Sequence, residues 1–146
     1  MEKKFSKGYD FNVKELFREL TELFEKRIVF IDGAMGTVIQ KYKLQEEDYR
    51  GEIYKDHKVL LKNNNDVLNV TMPDLIRQIH LDYLEAGSDI IETNTFNATS
   101  ISLADFAMED LAYEFNFQAA KLAREATDKV TFCFIFLNSL LMPNDM

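Results

Sequence analysis

Apolar residues follow two different spacings along this chain. Val13, Phe17, Leu20 and Phe24 recur at helical intervals, with Leu16 and Leu23 beside them, and predict an amphipathic helix. Asn12 supplies its cap, and Glu15, three places on, can reach back toward that cap. The next run, Ile28-Val29-Phe30-Ile31, lies between Lys26-Arg27 and Asp32-Gly33 and is too short for a helix. It predicts a strand buried on both faces, as in a parallel sheet. A short helix is expected after Thr37, through Val38 and Ile39.

Between residues 42 and 70 the pattern weakens. Glu46-Glu47-Asp48 and Asn63-Asn64-Asn65-Asp66 read as loop chemistry, and the segment has the length of a functional lid or an insertion. Thr71 then caps a second predicted helix, with Pro73 in its first turn. Leu75, Ile76, Ile79, Tyr83 and Leu84 form its apolar stripe, and Gly87 suits a left-handed stop. A strand over 89–93 follows. Residues 98–106 are expected to be helical in part, capped by Thr95 or Asn97. A long helix from about Glu109 to Thr127 presents Leu111, Phe115, Ala119, Leu122 and Ala126 inward. Each predicted strand precedes a helix able to cross back over the sheet, which makes the chain α/β with a parallel sheet. A third strand is due at 131–137, yet 138–146 offers no helix to cover it.

Both strands run straight into polar residues. The first ends in Asp32-Gly33-Ala34-Met35-Gly36-Thr37, the second in Glu92-Thr93-Asn94-Thr95. Ligands sit at the C-terminal ends of parallel strands, so both exits are candidates for one site. Asp-Gly is also an ordinary turn. In the functional reading, Gly33 and Gly36 let a ligand carboxylate approach backbone N–H groups, while Asp32 accepts from an amine or braces the turn. No Lys-Ser/Thr follows these glycines, so this is not a phosphate loop. A buried Glu92 requires an ammonium group, a backbone donor or an Arg as partner. Strand alternation prevents residues 92–95 from all facing one way.

Composition narrows the classes. A net charge of −8 over 146 residues, with its Lys residues scattered among acids, disfavours nucleic acid as a partner. A lone cysteine, Cys133, excludes an intramolecular disulfide framework. The polar start lacks a signal peptide's apolar core, and the apolar stretch 132–137 is too short to span a bilayer. No membrane partner and a cytoplasmic location are therefore expected. Cys133 reads as an inert buried thiol, His80 as a packed core imidazole and His57 as a surface residue. Met35, Met72 and Met108 read as gap-fillers. No Cys/His metal spacing occurs.

Residues 30–37, Phe-Ile-Asp-Gly-Ala-Met-Gly-Thr, resemble the first strand and loop of the homocysteine S-methyltransferases. So do Gln78-Ile79-His80 and residues 83–99, Tyr-Leu-Glu-Ala-Gly-Ser-Asp-Ile-Ile-Glu-Thr-Asn-Thr-Phe-Asn-Ala-Thr. Residues 61–68 and 115–124 are similar to the cobalamin-dependent methionine synthase branch rather than the betaine branch. The resemblance spans roughly 13–130. It implies a (β/α)8 TIM barrel, preceded here by an N-terminal helix, that transfers a methyl group from methylcobalamin to homocysteine to give methionine. In that family three cysteine thiolates hold zinc, which favours the thiolate of the bound substrate.

By the same resemblance, Asp32, Gly33, Gly36 and Thr37 hold the amino-acid end of homocysteine, and Glu92, Thr93, Asn94 and Thr95 line the pocket wall. The family's zinc cysteines lie in later strands, and Cys133 matches none of them. No catalytic and no metal residue is therefore assigned. A full barrel needs ~250 residues, so this chain supplies about the first three βα units. The expected layout is a flexible arm over 1–11, a partial homocysteine-binding barrel over 12–130 and an atypical tail over 131–146. Cobalamin and folate modules would lie downstream in a full-length protein. Zinc and cobalamin are cofactors of the family, and neither is expected to bind this fragment strongly. The expectation is a catalytically inactive fragment; the alternative is a weak amino-acid-binding or barrel-association module.

Overall fold

The computed structural model describes residues 13–130. Asn12, Cys133 and the predicted arm, third strand and tail lie outside the described residues. Seven α-helices are described: α1 (Val13–Lys26), α2 (Met35–Lys41), α3 (Glu46–Arg50), α4 (Leu68–Thr71), α5 (Pro73–Glu85), α6 (Ser100–Leu103) and α7 (Ala112–Lys129). Short 3-10 turns at Asn65–Val67, Ala104–Phe106 and Glu109–Leu111 precede or extend three of them.

The two expected strands meet, but only at one parallel bridge among the described residues, Ile31 with Ile90. Around it the N–H groups of Asp89 and Ile90 donate to the Phe30 carbonyl (2.8 and 3.1 Å), and the Asp32 N–H donates to Ile90 (2.9 Å). Arg27 locks the base of the pair. Its guanidinium donates to both carboxylate oxygens of Asp89, at 2.6 and 2.5 Å, and Asp89 also accepts from the Phe30 N–H at 3.0 Å. Those bonds to Arg27, helped by the one to Phe30, hold the Asp89 carboxyl below its ordinary range.

Burial of the first strand on both faces is not observed. Ile28, Phe30 and Ile31 are 76%, 59% and 50% exposed, because no described element packs over them. Helix α1 forms as the periodicity requires, yet Phe17 and Phe24 stand in solvent for the same reason.

The core lies between α5 and α7 and beneath the 42–70 segment. Ile76 and Ile79 pack with Phe115 and Leu122, joined by Ile39, Tyr49, Leu61, Val67, Leu68, Leu103 and Met108. A smaller cluster unites Leu84 and Ile91 with Ala123 and Ala126, which seats the second strand on α7. Gly87, at φ +102°, ends α5 as expected.

Several boundaries differ from the sequence reading. Helix α2 starts at Met35, before Thr37. Glu46-Glu47-Asp48 is not loop: it opens α3, where Gln45 and Asp48 form a reciprocal capping box. Thr71 ends α4 rather than capping α5, and Pro73 is the first residue of α5. The cap of α6 is Thr99, whose hydroxyl accepts from the Ser102 N–H at 3.2 Å, not Thr95 or Asn97.

Candidate functional site

All eight residues singled out at the strand exits line one open cleft of about 650 Å³. Asp32, Gly33, Gly36 and Thr37 form one side; Glu92, Thr93, Asn94 and Thr95 form another. Parallel pairing of Ile31 with Ile90 forces this, since it brings both C-terminal ends to the same rim. The two exits also touch directly. Both carboxylate oxygens of Asp32 accept from the Glu92 backbone N–H, each at 3.1 Å.

Burial pushes the Asp32 carboxyl up to about 6, against the pull of the Glu92 N–H, and the nearby Glu92 charge adds to the rise. Glu92 itself is exposed, so the buried carboxylate expected there is not found. The buried member of the four is Asn94. Its side chain donates to the Asn65 carbonyl at 2.7 Å, pointing away from solvent as alternation demands. The Thr93 and Thr95 hydroxyls bond each other at 2.8 Å.

A third wall was not foreseen as part of the site. Asn63, Asn65 and Asp66 line the cleft from the loop read only as a lid or insertion. The run of three asparagines before an aspartate was its signal, and Asn63 does take the left-handed backbone (φ 76°) that Asn tolerates. Asp66 is buried and accepts from the Asn97 N–H at 3.2 Å; burial pushes its carboxyl up to about 6, against that N–H and its own. Glu46 and Arg50 anchor this loop from behind. Glu46 accepts from the N–H groups of Leu61 and Lys62 and from Arg50, whose guanidinium donates in turn to the carbonyls of His57 and Val59.

Ala34, Met35, Gln40, Phe96 and Asn97 complete the lining, with Phe96 almost wholly exposed. The described lining holds three carboxylates and no Lys or Arg. It therefore favours the positive end of a ligand. His80 and His57 lie outside the cleft. His80 is fully buried with both ring nitrogens unpartnered, and burial pushes it down to about 4. His57, expected at the surface, is half-buried because a ring nitrogen bonds the Phe106 carbonyl at 2.7 Å.

A sequence model of the family described as homocysteine S-methyltransferase matches residues 29–139, which include the whole cleft. The chain belongs to the homocysteine S-methyltransferase family. Among solved structures it is similar to the homocysteine methyltransferase MmuM from Escherichia coli. The oxidized form matches at 27% identity with a TM-score of 0.57, over 75% of this chain and 34% of that one. The metallated form matches at 26% identity and 0.56, with the same coverage. The chain thus spans about a third of the length of this solved relative.

The family resemblance implies a zinc ion, but the described residues do not fit one. Among them no three His, Cys, Asp or Glu side chains lie close enough together to hold a metal ion. The cleft acids are turned to other work, Asp32 on the Glu92 N–H and Asp66 on the Asn97 N–H. No described helix is long and apolar enough to cross a membrane.

Proposed function

We propose that this chain forms the amino-acid-binding part of a homocysteine S-methyltransferase of the methionine synthase type. Residues 12–130 are then the start of a (β/α)8 barrel. The complete protein would transfer a methyl group from methylcobalamin to homocysteine, giving methionine. The observation that carries this reading is the convergence of 32–37 and 92–95 on one cation-free cleft, joined by the Asp32 to Glu92 bond. Exposure of Ile28 and Phe30 on one face of the strand and Ile31 on the other supports the barrel assignment, since a complete barrel would cover both faces.

In this reading the Asp32 carboxylate takes the α-ammonium group of homocysteine. Backbone N–H groups of the glycine-bearing 33–36 turn take its carboxylate. The wall at 92–95 orients the side chain so that its sulfur leaves the cleft toward the methyl donor. These residues bind and orient; no metal-dependent step falls to them.

Calorimetric titration of the purified chain with L-homocysteine, with and without zinc, tests the proposal. Saturable binding that is indifferent to zinc is expected, together with no methionine when methylcobalamin is supplied. Binding that requires zinc, or turnover by this chain alone, would overturn the assignment of roles.

A further inference from the structure

Two walls of the cleft are joined from behind by a side chain that does not line it. Asn69, in α4, is 1% exposed. Its carboxamide nitrogen donates one hydrogen to the Asp66 carbonyl at 2.8 Å and the other to the Asn94 carbonyl at 2.7 Å. Its oxygen lies 3.4 Å from the Asn94 side-chain nitrogen, which donates to the Asn65 carbonyl at 2.7 Å. Asp66 then accepts from the Asn97 N–H, closing the connection one step further along.

The chemistry suits this residue type. A carboxamide carries two N–H donors in one plane, so a single short side chain can satisfy two buried carbonyls from different segments. Leucine of nearly the same size has no donor, and serine has one. A buried carbonyl deprived of its donor is costly, and the Asn94 carbonyl takes its bond from Asn69 alone among the described contacts. Segments 65–66 and 94–97 are therefore held in one relative position by this group. Nothing in the chain's local pattern required it, since α4 is a single turn whose packing already rests on Leu68.

We propose that Asn69 is a positioning residue of the cleft. It clamps the Asn65–Asp66 wall to the strand exit at Asn94 and sets the width that an amino-acid ligand meets. The consequence for binding rests on the reading of the cleft as a homocysteine site; the clamp itself is a property of the free chain.

Amide hydrogen exchange followed by NMR, paired with L-homocysteine titration, tests this in wild type, Asn69→Leu and Asn69→Ser. In Asn69→Leu, exchange at the Asn97 amide should accelerate by about tenfold or more while α5 and α7 keep their rates. Homocysteine affinity should fall by roughly fivefold or more, with Asn69→Ser intermediate. Unchanged exchange over 94–97 in both variants overturns the clamp, as does acceleration spread evenly through α5 and α7. If the wild-type chain fails to bind homocysteine, the reading of the cleft falls and the exchange result alone decides the clamp.

Discussion

The Asp32 carboxylate faces the backbone N–H of Glu92 with both oxygens at 3.1 Å, sixty residues along the chain. A bond shared in this way is long and weak for a charged acceptor, and it leaves Asp32 able to take a stronger donor. Asp32→Asn keeps an acceptor for Glu92 but removes the charge an ammonium group would meet. Calorimetry should show homocysteine affinity falling roughly tenfold or more, without loss of thermal stability at neutral pH, since burial disfavours the Asp32 charge. Wild-type affinity should also decline as pH falls below about 6, where Asp32 takes up a proton. Equal affinity in the two proteins would remove Asp32 from the site.

Gly33 is held against Tyr83. A Cβ built at Gly33 would meet the Tyr83 hydroxyl at 3.2 Å and its ring carbons at 3.6 and 3.7 Å. Gly33→Ala should destabilise the chain by about 1 kcal/mol in denaturant titration. The same change in a Tyr83→Phe background should cost less, since the nearest atom is gone. Identical costs in both backgrounds would place the strain elsewhere.

Asp66 gives a signed pH dependence. Burial raises its carboxyl from an ordinary 3.8 to about 6 in the fold, so its stabilising contribution is full below 3.8 and is lost as pH rises through 6. Relative to Asp66→Asn, wild type should therefore gain stability as pH is lowered from 8 toward 4. A stability difference flat over that range would contradict the burial of this carboxylate.

His80 has the opposite sign. Burial lowers it from 6.5 to about 4, so its contribution is present above 6.5 and lost as pH falls through 4. His80→Leu removes two unpartnered buried nitrogens and should stabilise the chain by about 1–3 kcal/mol at neutral pH. The advantage should widen as pH drops below 6.5. A less stable variant would mean that the imidazole has a partner.

The sequence pattern carried much of this molecule. Helical spacing identified α1, α5 and α7, and the polar residues after two short apolar runs marked both strand exits. What it missed depended on distant contacts. Glu46 to Asp48 looked like loop because a five-residue helix has no room for periodicity, and its stability comes from Glu46 gripping Leu61 and Lys62. Asn65 and Asp66 join the site only because they meet Asn94 and Asn97, contacts far apart in sequence. The run at 28–31 has the length, composition and flanks of a doubly buried strand, none of which says what covers it.

NMR titration of the chain with L-homocysteine tests the central claim most directly. Saturable shifts confined to the amides of 32–37, 63–66 and 92–97 are predicted, weakened in Asp32→Asn. Shifts that do not saturate, or that map instead to the exposed face of Ile28 and Phe30, would contradict it.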